Sequence, residues 1–367
     1  MSDLRKTVTC DWRPLTGSFS ISFLVFLSVA LTGYVGVAMA EVFPSKPVKI
    51  VVPFPISGPT DIRGTTRVTK TYKLIAENAP PAISDSMARM VALAIGSGSL
   101  HAAALERQPG GLTMRGALSV ARAPADGHTL LLASNATMVI NPSFFHGIEY
   151  VPARDFVLVA PLATMPFVLM VHSSHPADDV RGLAAWLKVR PGEVNFGSSG
   201  EGSTGHLAGE LFRRMTGTAI VHVPFNGGLA GLNGMATGQV SLMFVALPLA
   251  LPYLTGEQFR ALGIAGTRRL ESLPELPTLA ETGLPGFEIE GWYGLFAPAS
   301  TPAVAVAWLR GQVSGFFASM AIRSLLRGYG LEPATMTLEQ FATRIHTEAD
   351  KWAPLLRASR LPLKDGA

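Results

Sequence analysis

The chain has 367 residues, 48% of them apolar and 15% charged, with a net charge of +4. That length can hold one or two packed cores, and the apolar content excludes a disordered or fibrous chain. The charge is small and no Lys/Arg block occurs, so a nucleic-acid partner is not expected.

The first forty residues differ from the rest. Arg5, Lys6 and Arg13 form a basic start, an apolar run follows from about Phe19 to Val37, and Ala38-Met39-Ala40 closes it. Basic flank, apolar core and small-x-small end read as a signal peptide over residues 1–40, removed on export to the periplasm. The competing reading is a retained membrane anchor, because the run approaches spanning length. Cys10, the single cysteine, lies in this leader ahead of the apolar run. The mature chain would then have no disulfide, thiolate metal site or cysteine nucleophile. No later stretch reaches about 18 apolar residues, so the mature protein is expected to be soluble.

Beyond the leader, short β-branched runs alternate with longer amphipathic stretches. Val48 to Val52 is a predicted strand, ended by Pro53-Phe54-Pro55. Thr129 to Ala133 is a second, entered through the turn Ala125-Asp126-Gly127. Phe167 to Val171, Glu193 to Phe196, Ala219 to Val223 and Val240 to Phe244 continue the series. Helical patterns fall between them, at Val180 to Val189 and His206 to Met215, with Asp178 and Asp179 at a helix start. This alternation predicts βαβ units and parallel sheets. Thr337 and Gln340 have capping-box spacing, and Leu338, Phe341, Ile345, Trp352 and Leu356 then recur on one helical face. At that spacing Trp352 reads as core rather than as a platform for a ligand.

One echo bears on architecture. Val51-Val52-Pro53-Phe54 precedes Ser57-Gly58, and His222-Val223-Pro224-Phe225 precedes Gly227-Gly228, about 170 residues later. Each is a strand that breaks at Pro-Phe into a glycine turn. Two such units suggest two facing lobes of like construction.

Three loops have the chemistry to hold an anion. The strongest is Gly197 to Thr204, where glycines let backbone approach a ligand and free amides meet hydroxyls at a helix start. An ordinary αβ turn with a Ser or Thr N-cap is the competing reading. The others are Ser57-Gly58-Pro59-Thr60-Asp61 and Ser134-Asn135-Ala136-Thr137 with Asn141. All three follow strands, where open α/β sheets bind ligands.

Enzymatic readings fare worse. Gly200-Glu201-Gly202-Ser203-Thr204-Gly205 matches G-x-G-x-x-G, the basis for a rival reading as a dinucleotide-binding enzyme. That fold wants an acid about twenty residues on, and residues 211–256 contain no Asp or Glu. No G-x-S-x-G, H-E-x-x-H or Walker loop occurs. The eight histidines are scattered, so neither a metal, a cofactor nor catalysis is expected.

These residues resemble a family. Phe43-Pro44-Ser45-Lys46-Pro47 running into Val51 to Pro55 and Gly58-Pro59-Thr60-Asp61 is similar to the start of Bug-type receptors, the extracytoplasmic solute-binding proteins of tripartite tricarboxylate transporters. Ala125 to Leu131, Ile140 to Ser143, Asp155-Phe156, Gly205 to Phe212 and Val221 to Phe225 continue the likeness. Leu276-Pro277-Thr278, Glu281 to Gly286 and Gly291 to Pro298 complete it, in family order. The resemblance implies a type II periplasmic-binding-protein fold, two α/β lobes with a ligand cleft between them. On this basis residues 41–165 plus 290–367 would form lobe 1, with an insert near 62–83, and 166–289 lobe 2. It further implies a small carboxylate held mainly by amides and hydroxyls. Lobe 1 would supply Ser57, Gly58, Thr60, Asp61, Ser134, Asn135, Ala136, Thr137 and Asn141. Lobe 2 would supply Ser198, Ser199, Gly202, Ser203, Thr204, His206, Phe225, Asn226, Gly227 and Ala246. A monomer serving membrane permease subunits is the implied partner arrangement, with a sensor subunit binding the same ligand as a further alternative.

The chain departs from the family in three places. Ile62 to about Ile83 interrupts the run from the first loop into its helix, and Ser84-Asp85-Ser86-Met87-Ala88-Arg89 looks like the displaced continuation. Asp61 and Asp85 therefore compete for one place facing the cleft. Phe244-Val245-Ala246 stands where members often carry an acid or amide, which argues against an amino-acid ligand. Asn226 replaces a usual lysine.

Overall fold

The computed structural model describes residues 43–54, 83–145, 147–255 and 257–358, with the side chains of 355–358 left aside. The leader and the loop Ser57–Asp61 lie outside the described residues. Within residues 43–358 the strands form two sheets. The first contains β1 (Lys49–Val52), β2 (Ala104–Arg107), β3 (Thr129–Ser134), β4 (Phe156–Met165), β10 (Gly291–Pro298) and β11 (Glu332–Pro333), in the order β11-β4-β10-β3-β1-β2. The second contains β5 (Phe167–His172), β6 (Asn195–Ser198), β7 (Val221–Pro224), β8 (Leu242–Ala246) and β9 (Phe259–Ile264), in the order β7-β6-β8-β5-β9.

Both sheets are covered on two faces, which is why their strands read as nearly continuous apolar runs. Ile50 and Val52 face Met87, Val91 and Ile95 of the helix Ile83–Ser97. Val51, pointing the other way by the period-two rule, packs with Met114, Ala117 and Val120 of the helix Met114–Ala121. In the second sheet Val168 and Met170 meet Leu232 and Met235, while Leu169 and Val171 meet Leu183 and Phe212. Fully burying each of the Val, Leu, Ile, Met and Phe side chains among them contributes about 1.5–3 kcal/mol.

The expected parallel sheets are corrected to mixed ones. β1 is parallel to β2 and β3, and β6 is parallel to β7 and β8, as βαβ units require. β10, however, runs antiparallel to β3 and β4, and β5 antiparallel to β8 and β9. These strands carry the chain between sheets instead of returning over a covering helix, so the crossover rule that enforces parallel pairing does not reach them. Only Pro166 separates β4 from β5.

Local signals hold where they rest on capping. Thr337 and Gln340 form the reciprocal capping box, with Gln340 N donating to Thr337 Oγ1 at 3.2 Å and Thr337 N to Gln340 Oε1 at 2.9 Å. Asp179 caps the helix Val180–Lys188 by accepting from Gly182 N at 2.7 Å. Trp352 and Phe341 are buried in the core. The helix at Ile83–Ser97 begins where the displaced motif stands, and Asp85 is buried in its first turn, paired with the Arg107 guanidinium from β2. Asp85 is thus a structural ion pair, and the neighbouring Ser84 is the residue at the cleft.

Candidate functional site

In the second sheet, β6 stops at Ser198 and the chain turns through Gly200 and Gly202, whose φ angles of 132° and 73° suit glycine. Ser198 Oγ accepts from Gly200 N at 3.1 Å and lies 2.7 Å from His222 Nε2. Ser203 then caps the helix Thr204–Thr216, accepting from His206 N at 3.2 Å. At Gly205 a Cβ would stand 2.7 Å from the Phe244 carbonyl oxygen, so only glycine seats this helix start against β8. The glycines of the G-x-G-x-x-G match therefore have local backbone duties. Ser203→Ala should cost about 1 kcal/mol of stability, read as a shift of the denaturation midpoint at constant slope. A variant as stable as the parent would mean that the cap bond contributes nothing.

His206 stands behind this loop. Its Nδ1 accepts from Gly202 N at 3.0 Å, which puts the ring proton on Nε2. The ring stacks on His222 with centroids 3.8 Å apart and planes 8° apart. Burial pushes His206 down to about 3, with His222 adding to the effect, and burial pushes His222 down to about 4. Two neutral imidazoles thus brace the loop from within.

In the first sheet, β3 ends at Ser134 and passes into a wide helical turn, Ala136–Ile140. Asn135 Nδ2 donates across the cleft to Thr204 Oγ1 at 3.2 Å. Asn141 Nδ2 donates to the Leu112 carbonyl at 2.7 Å, and Thr113 and Thr137 hydroxyls meet at 2.9 Å. Gly110, Gly111, Leu112 and Thr113 all have positive φ (125°, 52°, 49° and 83°). Two consecutive non-glycine residues held there store strain, and both line the cleft.

The loops of both sheets open into one cleft of about 850 Å³. Ser134, Asn135, Ala136 and Asn141 line it from the first sheet, and Ser199, Gly202, Ser203 and Thr204 from the second. Phe225, Asn226, Gly227 and Ala246 complete the predicted residues found there. Thr137, Ser198 and His206 do not line it: all three are buried behind the wall, where Thr137 Oγ1 meets Thr113, Ser198 Oγ meets His222 and His206 Nδ1 meets Gly202 N, while His206 Nε2 is buried without a hydrogen-bond partner among the described residues. Ser57, Gly58, Thr60 and Asp61 lie outside the described residues, between Phe54 and Ser84, which both line the cleft.

The remaining walls escaped sequence reasoning. Leu112 and Thr113 enter through left-handed backbone that no local motif announces. Met165 and Phe167 flank the passage between sheets, and Tyr293 sits opposite Ser134 in the β10–β3 register. Glu201 belongs to a loop already suspected, Met243, Phe244 and Val245 to β8, and Leu249 to the short helix Leu247–Ala250 that follows it. Among the described residues no group of three or more His, Cys, Asp or Glu could hold a metal, and no helix is long and apolar enough to cross a membrane.

Residues 87–361, well over half of the chain, match the model of the family described as "Tripartite tricarboxylate transporter family receptor". A curated relative from Pseudomonas sp. (strain P51), the "UPF0065 protein in tcbD-tcbE intergenic region", is 32% identical over 88% of this chain and 88% of its own. Among solved structures, Rpa4515 of R. palustris with adipate superposes with a TM-score of 0.71 at 31% identity, over 86% of this chain and 97% of that one. MatC (Rpa3494) from Rhodopseudomonas palustris with bound malate gives 0.68 at 28% identity, over 86% of this chain and 100% of that one. These neighbours have the two-lobed periplasmic-binding architecture.

Proposed function

The chain belongs to the tripartite tricarboxylate transporter receptor family, and from that premise we propose that it is an exported, non-catalytic receptor capturing one small organic carboxylate. The loaded monomer delivers its cargo to membrane permease subunits in the periplasm. The observation that carries this reading is the Asn135–Thr204 hydrogen bond, which joins the two loop sets across one cleft at the start of a helix. Amides and hydroxyls from Ser134–Ala136 and Ser199–Thr204 hold the carboxylate, favoured by the positive end of the Thr204–Thr216 helix. Ser57–Asp61 is the further contributor that the family resemblance implies. The bound adipate and malate of the two neighbours support the ligand class.

A panel of carboxylates tested by thermal shift and titration calorimetry decides the matter. A native-state ligand at a hundredfold its Kd stabilises by about 2.7 kcal/mol, a readily measured rise in Tm. Asn135→Ala should weaken the acid that binds by about tenfold, since it removes one buried donor. If no acid in the panel changes Tm or gives heat, the proposal fails.

A further inference from the structure

We propose that Leu112 selects the body of the captured acid: its side chain packs against a hydrocarbon chain or ring, so that acids carrying one bind in preference to short hydroxylated ones. This rests on the carboxylate-receptor reading above and narrows it to a substrate class. Leu112 and Thr113 have φ angles of 49° and 83°, directly after Gly110 and Gly111 at 125° and 52°. Glycine takes such backbone readily, whereas an L side chain there crowds the carbonyl oxygen that follows. A leucine ordinarily offsets its constraints by burial, yet Leu112 is 57% exposed and lines the cleft. For the fold alone, a third glycine would serve better.

The strained turn is held in place by its neighbours. Asn141 Nδ2 donates to the Leu112 carbonyl at 2.7 Å, Thr113 N to the Gly110 carbonyl at 3.1 Å, and the Thr113 and Thr137 hydroxyls meet at 2.9 Å. One helical turn on, Gly116 lies so near the end of β1 that a Cβ would stand 2.7 Å from Pro53 Cβ. The start of the helix Met114–Ala121 therefore cannot shift to relieve Leu112. Backbone kept strained by several independent contacts is a mark of functional positions. What these contacts fix is the direction of one apolar side chain, in a cleft that also carries Phe54, Met165, Phe167 and Phe244. A hydrocarbon body laid against Leu112 takes apolar surface of both partners out of water, worth about fourfold in affinity for each methylene covered. A short hydroxy acid has nothing to lay there.

The test is calorimetric titration of the full mature protein, Leu112→Gly and Leu112→Asn with malate, succinate, adipate, suberate and 3-phenylpropionate. Glycine removes the side chain; asparagine keeps a similar size and tolerates left-handed backbone, but is polar. The wild type is expected to bind the best of the three longer acids at least about tenfold tighter than malate or succinate. Both variants should narrow that ratio roughly tenfold, while their denaturation midpoints match or exceed the wild type's because strain is relieved. Selectivity that falls while stability holds is a result that a merely structural leucine would not give. Equal or tighter wild-type binding of malate or succinate overturns the inference. So does a ratio unchanged in both variants, or a midpoint lowered in both, which would assign the side chain to the fold. In those cases an acid still binds and the receptor reading stands. If none of the five binds the wild type, this inference falls, and the receptor reading falls with it only when the wider carboxylate panel is silent too.

Discussion

Arg344→Met should lower the unfolding free energy by about 3–5 kcal/mol, the scale expected when a buried charge loses its partner. Arg344 Nε donates to Glu348 Oε1 at 2.7 Å and Nη2 to Glu290 Oε2 at 3.3 Å, with all three side chains largely shielded from water. Trp292 Nε1 donates to Glu348 Oε2 at 2.9 Å, so the second carboxylate is also tied to the crossover strand β10. Burial alone would lower the Arg344 pKa, but Glu348 and Glu290 outweigh it and raise it. Burial raises Glu290 despite Arg344. Removing the guanidinium therefore leaves two poorly hydrated carboxylates facing each other. The triple variant Arg344→Met, Glu290→Gln, Glu348→Gln should recover much of the loss, because buried ion pairs are often matched by neutral groups of similar size. Chemical denaturation of the three proteins measures this. A single-variant loss below about 1 kcal/mol would mean that the network is screened as surface pairs are.

Acidification should destabilise the protein between pH 6.5 and about 4, most steeply through the paired imidazoles. Both His206 and His222 bind a proton more weakly folded than unfolded, at about 3 and about 4 against 6.5. The unfolded chain then holds more protons across this window, so stability rises with pH and is complete above 6.5. At pH 5 the two imidazoles together therefore oppose the folded state relative to pH 7, the more buried His206 more than His222. Glu290 and Glu332, both raised by burial, work in the opposite sense and offset part of this. The carboxylates lowered by ion pairs or backbone donors, such as Asp126 and Glu281, add their loss only at lower pH. Denaturation midpoints at pH 7 and pH 5 should therefore separate clearly in the wild type and less in His206→Gln. Equal midpoints at the two values would show that the imidazoles titrate normally.

Much of the fold was legible because its strands are covered on both faces, which makes Val48–Val52 and Phe167–Val171 continuous apolar runs. The capping residues Asp179 and Thr337 were legible because their bonds are local. β2, β9 and the long strands β4 and β10 were not anticipated as strands. β4 and β10 carry the chain between halves, and their pairing is decided by distant partners, not by their own period. The same locality divides the site. Ser199–Thr204 and Ser134–Asn141 could be found as glycine or hydroxyl loops after strands. Leu112 and Thr113 could not, because only tertiary clamps such as the Asn141 bond to the Leu112 carbonyl hold residues of that type in left-handed backbone. His206 shows where a ring can turn once the chain has folded. Its place at a helix start reads as structural, the family resemblance sets it among the ligand contacts, and its ring turns inward onto His222.

The passage between the halves has a mechanical consequence. The chain crosses at residues 165–167 and returns through 265–290; Ala265 N meets the Phe167 carbonyl at 2.8 Å, joining the two passages, and Ile289 N meets the Ala265 carbonyl at 2.8 Å within the return. Met165 and Phe167 also touch the interior of the cleft. Passage and lining thus share the same side chains, so bulk added at Met165 or Phe167 would press on the crossing and on the cleft together.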